Sequence, residues 1–276
     1  VANQNEDGSG YNLYQDEAPL EFNKQTNYAS YIAVAVWHFY LINNDINFLK
    51  NFWEPVKKGI LFSLSLQHKN GAIAWNIDEF AKIDDDYLLT GCSSIAKSLE
   101  CTIAITQVLG HQNFESECKA AHSKLIKALE NPSEIFDLKK DRSRFSMDWY
   151  YPIIGGINSK QRIADLIGRI QDSFWIQGLG IKCVEEEPWV TVAETSECSI
   201  AYKKIGEDKI ASELLLNAIA IVDREGIPYM GWQFHENIYW PEETPSWTSA
   251  ACILAADANY QLTPAGDLFI KKQFKA

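Results

Sequence analysis

The sequence has no Cys-x-x-Cys pair, and no histidine stands at zinc-finger spacing from its six cysteines, Cys92, Cys101, Cys118, Cys183, Cys198 and Cys252. A chain of 276 residues needs no disulfide staples. Most of these thiols fall in helical patterns, so buried thiols in a reducing, cytoplasmic compartment are expected. Long hydrophobic runs are missing too: the longest, Tyr31 to Ile42, contains His38 and falls well short of the ~20 residues of a membrane span. Positive charge is scarce, with 25 Lys+Arg against 37 Asp+Glu, a net −12. That balance argues against a grip on nucleic acid or anionic lipid. No Pro/Gly/Ser-rich or charged linker divides the chain, so residues 1–276 are expected to form a single domain. Walker, Gly-x-Ser-x-Gly and His-Glu-x-x-His sequences are absent, and Gly178-Leu179-Gly180 has no strand pattern before it, so those nucleotide, hydrolase-elbow and metalloprotease chemistries drop out. The chain begins at Val1 rather than Met, from which removal of upstream residues is expected.

What is present is helix of two alternating kinds. Asn27 to Leu41, Ser93 to Val108, Glu194 to Ile205 and Trp247 to Tyr260 are apolar nearly all round and rich in small residues, the pattern of helices wrapped by protein. Pro55 to Gln67, Phe114 to Leu129, Gln161 to Phe174 and Asp208 to Val222 carry a polar stripe for water. Short junctions at Asn43-Asn44-Asp45, Gly110-His111-Gln112 and Gly206-Glu207 join three of the buried helices to the exposed helix that follows, as antiparallel hairpins. The expected fold is all-α: an (α/α) toroid of helical hairpins, (α/α)6-like and incomplete or irregular at its N-terminus, since only about nine strong helices can be counted.

The connections back from exposed to buried helices are longer and carry a recurring phrase. Asn5-Glu6-Asp7-Gly8 precedes Tyr11 and Tyr14, Lys69-Asn70-Gly71 precedes Trp75, and Arg224-Glu225-Gly226 precedes Tyr229 and Trp232. The glycine suits a left-handed turn after a helix end. Because these loops all join the same helix ends, they gather where the buried helices begin and where free N–H groups point outward. Thr26 or Asn27, Thr90 with Ser93, Thr195 and Ser246 are the expected N-caps.

Nine tryptophans, many in loop-like stretches, are interleaved with acids in Arg144 to Pro152, Glu185 to Glu197, Gly231 to Glu236 and Tyr239 to Trp247. Sugar C–H faces stack on flat rings, and glycoside cleavage needs two carboxyl groups facing each other across the bond. Asp148, flanked by Met147 and Trp149, suits a proton donor whose pKa is raised by desolvation. Glu194 opens a buried helix, where a charge must be paired or face a cavity. Glu197 lies one turn further along the same face, a second member or only a neighbour. Glu242 or Glu243, between Trp240 and Trp247, supplies a third candidate, represented by Glu243. Trp75, Trp149, Tyr151, Trp189, Trp232, Trp240 and Trp247 are the expected sugar platform, with Asn27, Arg144 and His235 as polar contacts. No metal or other cofactor is required. Asp84-Asp85-Asp86 reads as a solvated loop rather than a metal site.

Thr26-Asn27-Tyr28 through Trp37-His38, with Asp45, Phe48-Leu49, Trp53, Pro55, Gln67, Gly71 and Trp75, resembles a hairpin of the six-hairpin glycosidase superfamily, whose members include glucoamylase-like and trehalase-like hydrolases. The segments RFSMDWYYP, PWVTVAETSE and WPEETPSWTSA resemble bacterial proteins called prenyltransferase-like. The glycosidase resemblance implies paired carboxylates in the loops before the buried helices, positions that Asp148, Glu194 and Glu242 or Glu243 can fill. The leading expectation is therefore a carbohydrate-active enzyme, a glycoside hydrolase acting on an oligosaccharide or glycoside; an uncharged or cationic sugar suits the acidic chain better than a uronate polymer. The competing readings are an isoprenoid cyclase or prenyltransferase, which would stabilise carbocations on its aromatics, a polysaccharide lyase using Tyr150 or Tyr151, and a non-catalytic glycan-binding toroid.

Overall fold

The computed structural model describes residues 2–275, and the chain divides into two compact units. One runs to Asp141 and takes in Gly155–Ile157 and the residues from Lys272 onward; the other comprises Arg142–Ile154 and Asn158–Lys271.

The first unit contains β1 (Leu13–Gln15), β2 (Ala18–Glu21), β3 (Lys24–Gln25), α1 (Thr26–Asn43), α2 (Ile46–Ser65), β4 (Asn76–Ile77), α3 (Leu89–Leu109) and α4 (Gln112–Glu130). Helices α1 and α3 pack on one another and on their hairpin partners α2 and α4. The junctions are built as the sequence suggests: Asn44 and Gly110 take left-handed conformations that end α1 and α3. Asp45 then accepts the amides of Asn47 and Phe48 to start α2. That cap explains why α2 begins at Ile46 and not at Pro55. The proline forfeits one helical hydrogen bond, yet the helix runs through it because Leu49, Trp53, Val56 and Ile60 form one buried stripe. Helix α3 is buried from Leu89 almost to its end. Helix α1 is not wrapped all round: Tyr28, Tyr31, Phe39 and Ile42 are exposed, on the side that α2 and α3 leave uncovered.

The second unit contains α5 (Met147–Gly155), α6 (Lys160–Ser173), β5 (Trp175–Ile176), β6 (Gly180–Ile181), β7 (Trp189–Thr191), α7 (Val192–Lys204), α8 (Asp208–Ile219), β8 (Gly231–Gln233), β9 (Ile238–Tyr239) and α9 (Ser246–Tyr260). Helix α7 packs against α8 and α9. Strands β7, β8 and β9 form an antiparallel sheet in that order, with Val190 opposite Trp232 and Trp232 opposite Tyr239. Val190 and Val192 lie in a buried cluster with Ala218, Ile221 and Cys252. Like α1, α9 exposes one apolar face, through Trp247, Ile253 and Tyr260.

The expected N-caps are corrected by the structure. Gln25, Leu88, Thr191 and Pro245 precede the four buried helices, and none makes a side-chain cap bond. The first amides are satisfied from other segments instead: Thr26 N–H donates to the Trp75 carbonyl at 2.9 Å and Val192 N–H to the Met230 carbonyl at 3.0 Å. Leu89 N–H donates to Asp137 Oδ2 at 3.2 Å. The Gly-aromatic loops supply the first two acceptors. Gly8, Gly71 and Gly226 all have the positive φ expected of them, and at Gly71 a Cβ would lie 2.3 Å from the Lys124 carbonyl oxygen.

Candidate active site

The strongest convergence of chemical groups lies in the second unit, between α5 and α7. Glu197, on the second turn of α7, accepts one hydrogen bond on each carboxyl oxygen: from the Tyr150 hydroxyl on Oε2 at 2.8 Å and from the Tyr151 hydroxyl on Oε1 at 3.0 Å. Tyr150 is fully buried and Tyr151 half-buried. Burial, and next the charge of Glu194 one turn away, push the Glu197 carboxyl up to about 7, against the opposing pull of the two tyrosine bonds. Tyr150 is pushed well above the ordinary phenol range by burial and by the charges of Glu197 and Glu194. Glu194 also faces the half-buried Cys183 thiol, which burial and that charge push up.

Glu194 thus sits at the head of α7 as the sequence suggests, and Glu197 and Tyr150 join it. The sequence carried the signal for Glu197 as an acid three residues on along a buried helix. For Tyr150 it offered only the lyase reading, because RFSMDWYYP reads as a loop or a helix start, whereas Met147–Gly155 is helical. Asp148, on the first turn of α5, is only 6% exposed and is engaged by neighbouring groups. Glu243 is exposed, but its carbonyl accepts Met230 N–H at 2.8 Å, and the Met230 carbonyl accepts Val192 N–H. Two main-chain hydrogen bonds therefore tie the Glu243 loop to the first residue of the helix that carries Glu194 and Glu197. Glu242 is exposed beside it.

The aromatic residues fall into groups. Strand β7 runs directly into α7 and brings Trp189, whose ring meets Trp240 edge-on with centroids 5.3 Å apart. The indole N–H of Trp189 donates to the Trp240 carbonyl. Trp232 meets Tyr239 edge-on at 5.0 Å, and Tyr239 stacks on Tyr229 at 4.0 Å. Trp240 and Trp247 are exposed, at 53% and 60%. Trp149 carries the Arg169 guanidinium 5.4 Å from its ring centroid, which takes up ring surface expected to be free for sugar. Arg144 forms an ion pair with Glu186, so it is engaged rather than a free donor. His235 is exposed beside Phe234. Trp75 and Asn27 belong to the first unit, where the loop holding Trp75 closes onto the start of α1, and the buried Asn27 Oδ1 has no hydrogen-bond partner.

The acidic run serves the backbone. Asp84 accepts Asp86 N–H, Asp86 accepts Leu138 N–H and is buried, and only Asp85 projects to solvent, paired with Lys139. The solvated-loop expectation is thus corrected at Asp86. Among the described residues no group of three potential ligands converges, no cysteine is disulfide-bonded, and no helix is long and apolar enough to cross a membrane.

No known family profile matches the sequence. It is 35% identical over 266 residues, 96% of this chain and 72% of the other, to the MMP endo-(1,4)-3-O-methyl-alpha-D-mannosidase of Mycolicibacterium hassiacum. The structure is similar to that of cellobiose 2-epimerase from Bacillus thermoamylovorans, with a TM-score of 0.73, 14% identity, and 99% of this chain and 80% of the other covered. It is also similar to a GH63 mannosylglycerate hydrolase from Thermus thermophilus, with a TM-score of 0.58, 11% identity, and 82% and 74% covered. These structural likenesses show the fold, an all-α toroid of helical hairpins.

Proposed function

The chain belongs to the family of that endo-mannosidase, within the six-hairpin glycosidase superfamily, as a carbohydrate-active enzyme of the glycoside hydrolase type, and from this premise we propose that it cleaves α-(1,4)-linked mannosides or their 3-O-methylated forms within an oligosaccharide, using the α7 carboxyl groups. The observation that carries the reading is Glu197: half-buried, with a tyrosine hydroxyl on each carboxyl oxygen and a second carboxyl one turn away, it is pushed up to about 7, so that part of it keeps its proton at neutral pH.

Glu197 gives its proton to the glycosidic oxygen as the bond from that oxygen to the anomeric carbon breaks. Glu194, one turn away, contributes negative charge that stabilises the positive charge developing on the sugar ring. A water adds to the anomeric carbon and loses its proton to Glu243, the open carboxylate of the site, and exchange with solvent restores the starting protonation. Asp148, buried at the head of α5, keeps a supporting role. The exposed rings of Trp240 and Trp247, with Trp189 and Trp232, offer stacking surface. A neutral sugar suits a chain of charge −12, and six unpaired thiols suit a reducing compartment such as the cytoplasm.

The test is release of new reducing ends from α-(1,4)-linked mannose and 3-O-methylmannose oligosaccharides, with α-glucans as controls. Glu197→Gln and Glu194→Gln are each expected to lose about 10²–10⁴-fold in kcat while remaining folded. Wild-type turnover in both variants would sink the assignment.

A further inference from the structure

Tyr150 and Tyr151 are adjacent in sequence, and neighbouring residues of a helix do not normally face the same target. Here they do: their ring centroids lie 5.4 Å apart at 48°, and their hydroxyls meet the two different oxygens of one carboxyl group. We propose that Tyr150 and Tyr151 are positioning residues for Glu197, one hydroxyl on each carboxyl oxygen fixing its rotamer and opposing the loss of its charged form. The proposal rests on the reading of Glu197 as the acid of the site, and it concerns how that acid is held and tuned.

Packing alone does not account for the arrangement. Tyr150 is fully buried, so its hydroxyl needs a partner, but Tyr151 is half-buried and could turn to water. A single donor would leave Glu197 free to rotate about its last bond, whereas two donors on opposite oxygens do not. Around Glu197 stand these two tyrosines from α5 and, on α7 itself, Glu194 and the buried Cys198 thiol. Burial and Glu194 favour the neutral acid, and the two hydroxyls favour the anion. The acid is therefore held near the pH at which it can both give and regain a proton.

The sign of the effect separates tuning from scaffolding. Removing a hydroxyl that donates to the carboxylate raises the titration midpoint of Glu197, and removing the Glu194 charge lowers it. The experiment is a side-chain carboxyl ¹³C NMR titration of the full chain carrying ¹³C-labelled glutamate, with the Glu197 signal assigned by its loss in Glu197→Gln. Tyr151→Phe is expected to move the midpoint up by about one unit, Tyr150→Phe to move it the same way, and Glu194→Gln to move it down. The half-buried Tyr151 variant keeps the test open should Tyr150→Phe fail to fold. The alkaline limb of kcat/KM against pH should follow the same order. A midpoint unmoved in folded Tyr151→Phe would overturn the proposal. The reading of Glu197 as the acid fails separately, if Glu197→Gln retains hydrolysis.

Discussion

The amide of Val192 donates to the carbonyl of Met230 at 3.0 Å, and Met230 donates its own amide to the carbonyl of Glu243 at 2.8 Å. One residue thus fixes the Glu243 loop against the first turn of α7, although some fifty positions separate the two segments in sequence.

Gly231, next to Met230, is where this link can be strained. A Cβ there would lie 2.4 Å from the Val190 carbonyl oxygen and 2.6 Å from the Trp189 indole nitrogen. Gly231→Ala therefore has to push β8 away from β7, at a cost of about 1–3 kcal/mol. Moving the Glu243 loop relative to Glu194 should lower kcat by about tenfold or more. Denaturant unfolding and oligosaccharide hydrolysis on the same preparation measure both, and a variant unchanged in both would show that the strand contact does not position the loop.

The raised pKa of Glu197 makes stability as well as activity depend on pH. Its folded-state value, about 7, lies above its ordinary value of 4.5, so the folded protein binds this proton more tightly than the unfolded chain. The contribution is fully present below about 4.5 and is lost as pH rises through about 7. Glu197→Gln keeps a neutral side chain throughout. Its melting temperature relative to wild type should therefore rise between pH 5 and pH 8, read by thermal unfolding in matched buffers. Wild-type kcat/KM should fall over the alkaline part of the same interval, as the acid loses its proton. A constant difference in melting temperature would show that Glu197 is ionised throughout.

The helices were legible where composition alone decides burial. Ser93 to Val108 is apolar or small apart from Lys97, Glu100 and Gln107, and α3 is correspondingly buried, its two charges paired with each other. Local signals failed where tertiary contacts supply what the segment lacks. Pro55 looks like a helix start, but the Asp45 cap and the buried stripe carry α2 through it. Thr26, Ser93 and Thr195 look like caps, but carbonyls and a carboxylate from distant loops satisfy the first amides instead. At the site, Glu194 was visible because a charge opening an apolar helix needs a reason. The two hydroxyl bonds to Glu197 were not visible, because they depend on Tyr150 and Tyr151 arriving from a helix that the aromatic-rich RFSMDWYYP stretch conceals.

Cys183 offers a chemical probe of the same site. It is half-buried, whereas the other five cysteines are buried, and it faces Glu194, whose charge adds to burial in suppressing the thiolate. In the native protein, iodoacetamide is expected to react slowly and mainly at this position, with the other thiols reacting only after denaturation. The added group lies beside Glu194 and should reduce hydrolysis in step with its incorporation, while Cys183→Ser should stay active and resist the reagent. Peptide mapping by mass spectrometry against residual activity decides it. Labelling of Cys183 with full activity would separate the thiol from the site.

The first unit carries its own buried charge pair. Lys97 Nζ lies 2.6 Å from Glu100 Oε1, with side chains 2% and 4% exposed. The same oxygen accepts Gln273 N–H at 3.0 Å, and Gln273 Oε1 accepts the Trp37 indole N–H at 2.9 Å. Gln107 and Lys275 exchange a further pair of hydrogen bonds, so the tail from Lys272 covers the ions and ties them to α1. Removing one charge leaves the other desolvated: Lys97→Met or Glu100→Leu alone should cost about 3–5 kcal/mol, whereas the double substitution should cost much less. Deleting the tail takes a donor from Glu100, for about 1–3 kcal/mol, and exposes Trp37, which should red-shift its fluorescence. Urea unfolding of the four proteins measures the coupling. If the double variant loses as much as the two singles combined, the ions act independently and the tail covers only apolar surface.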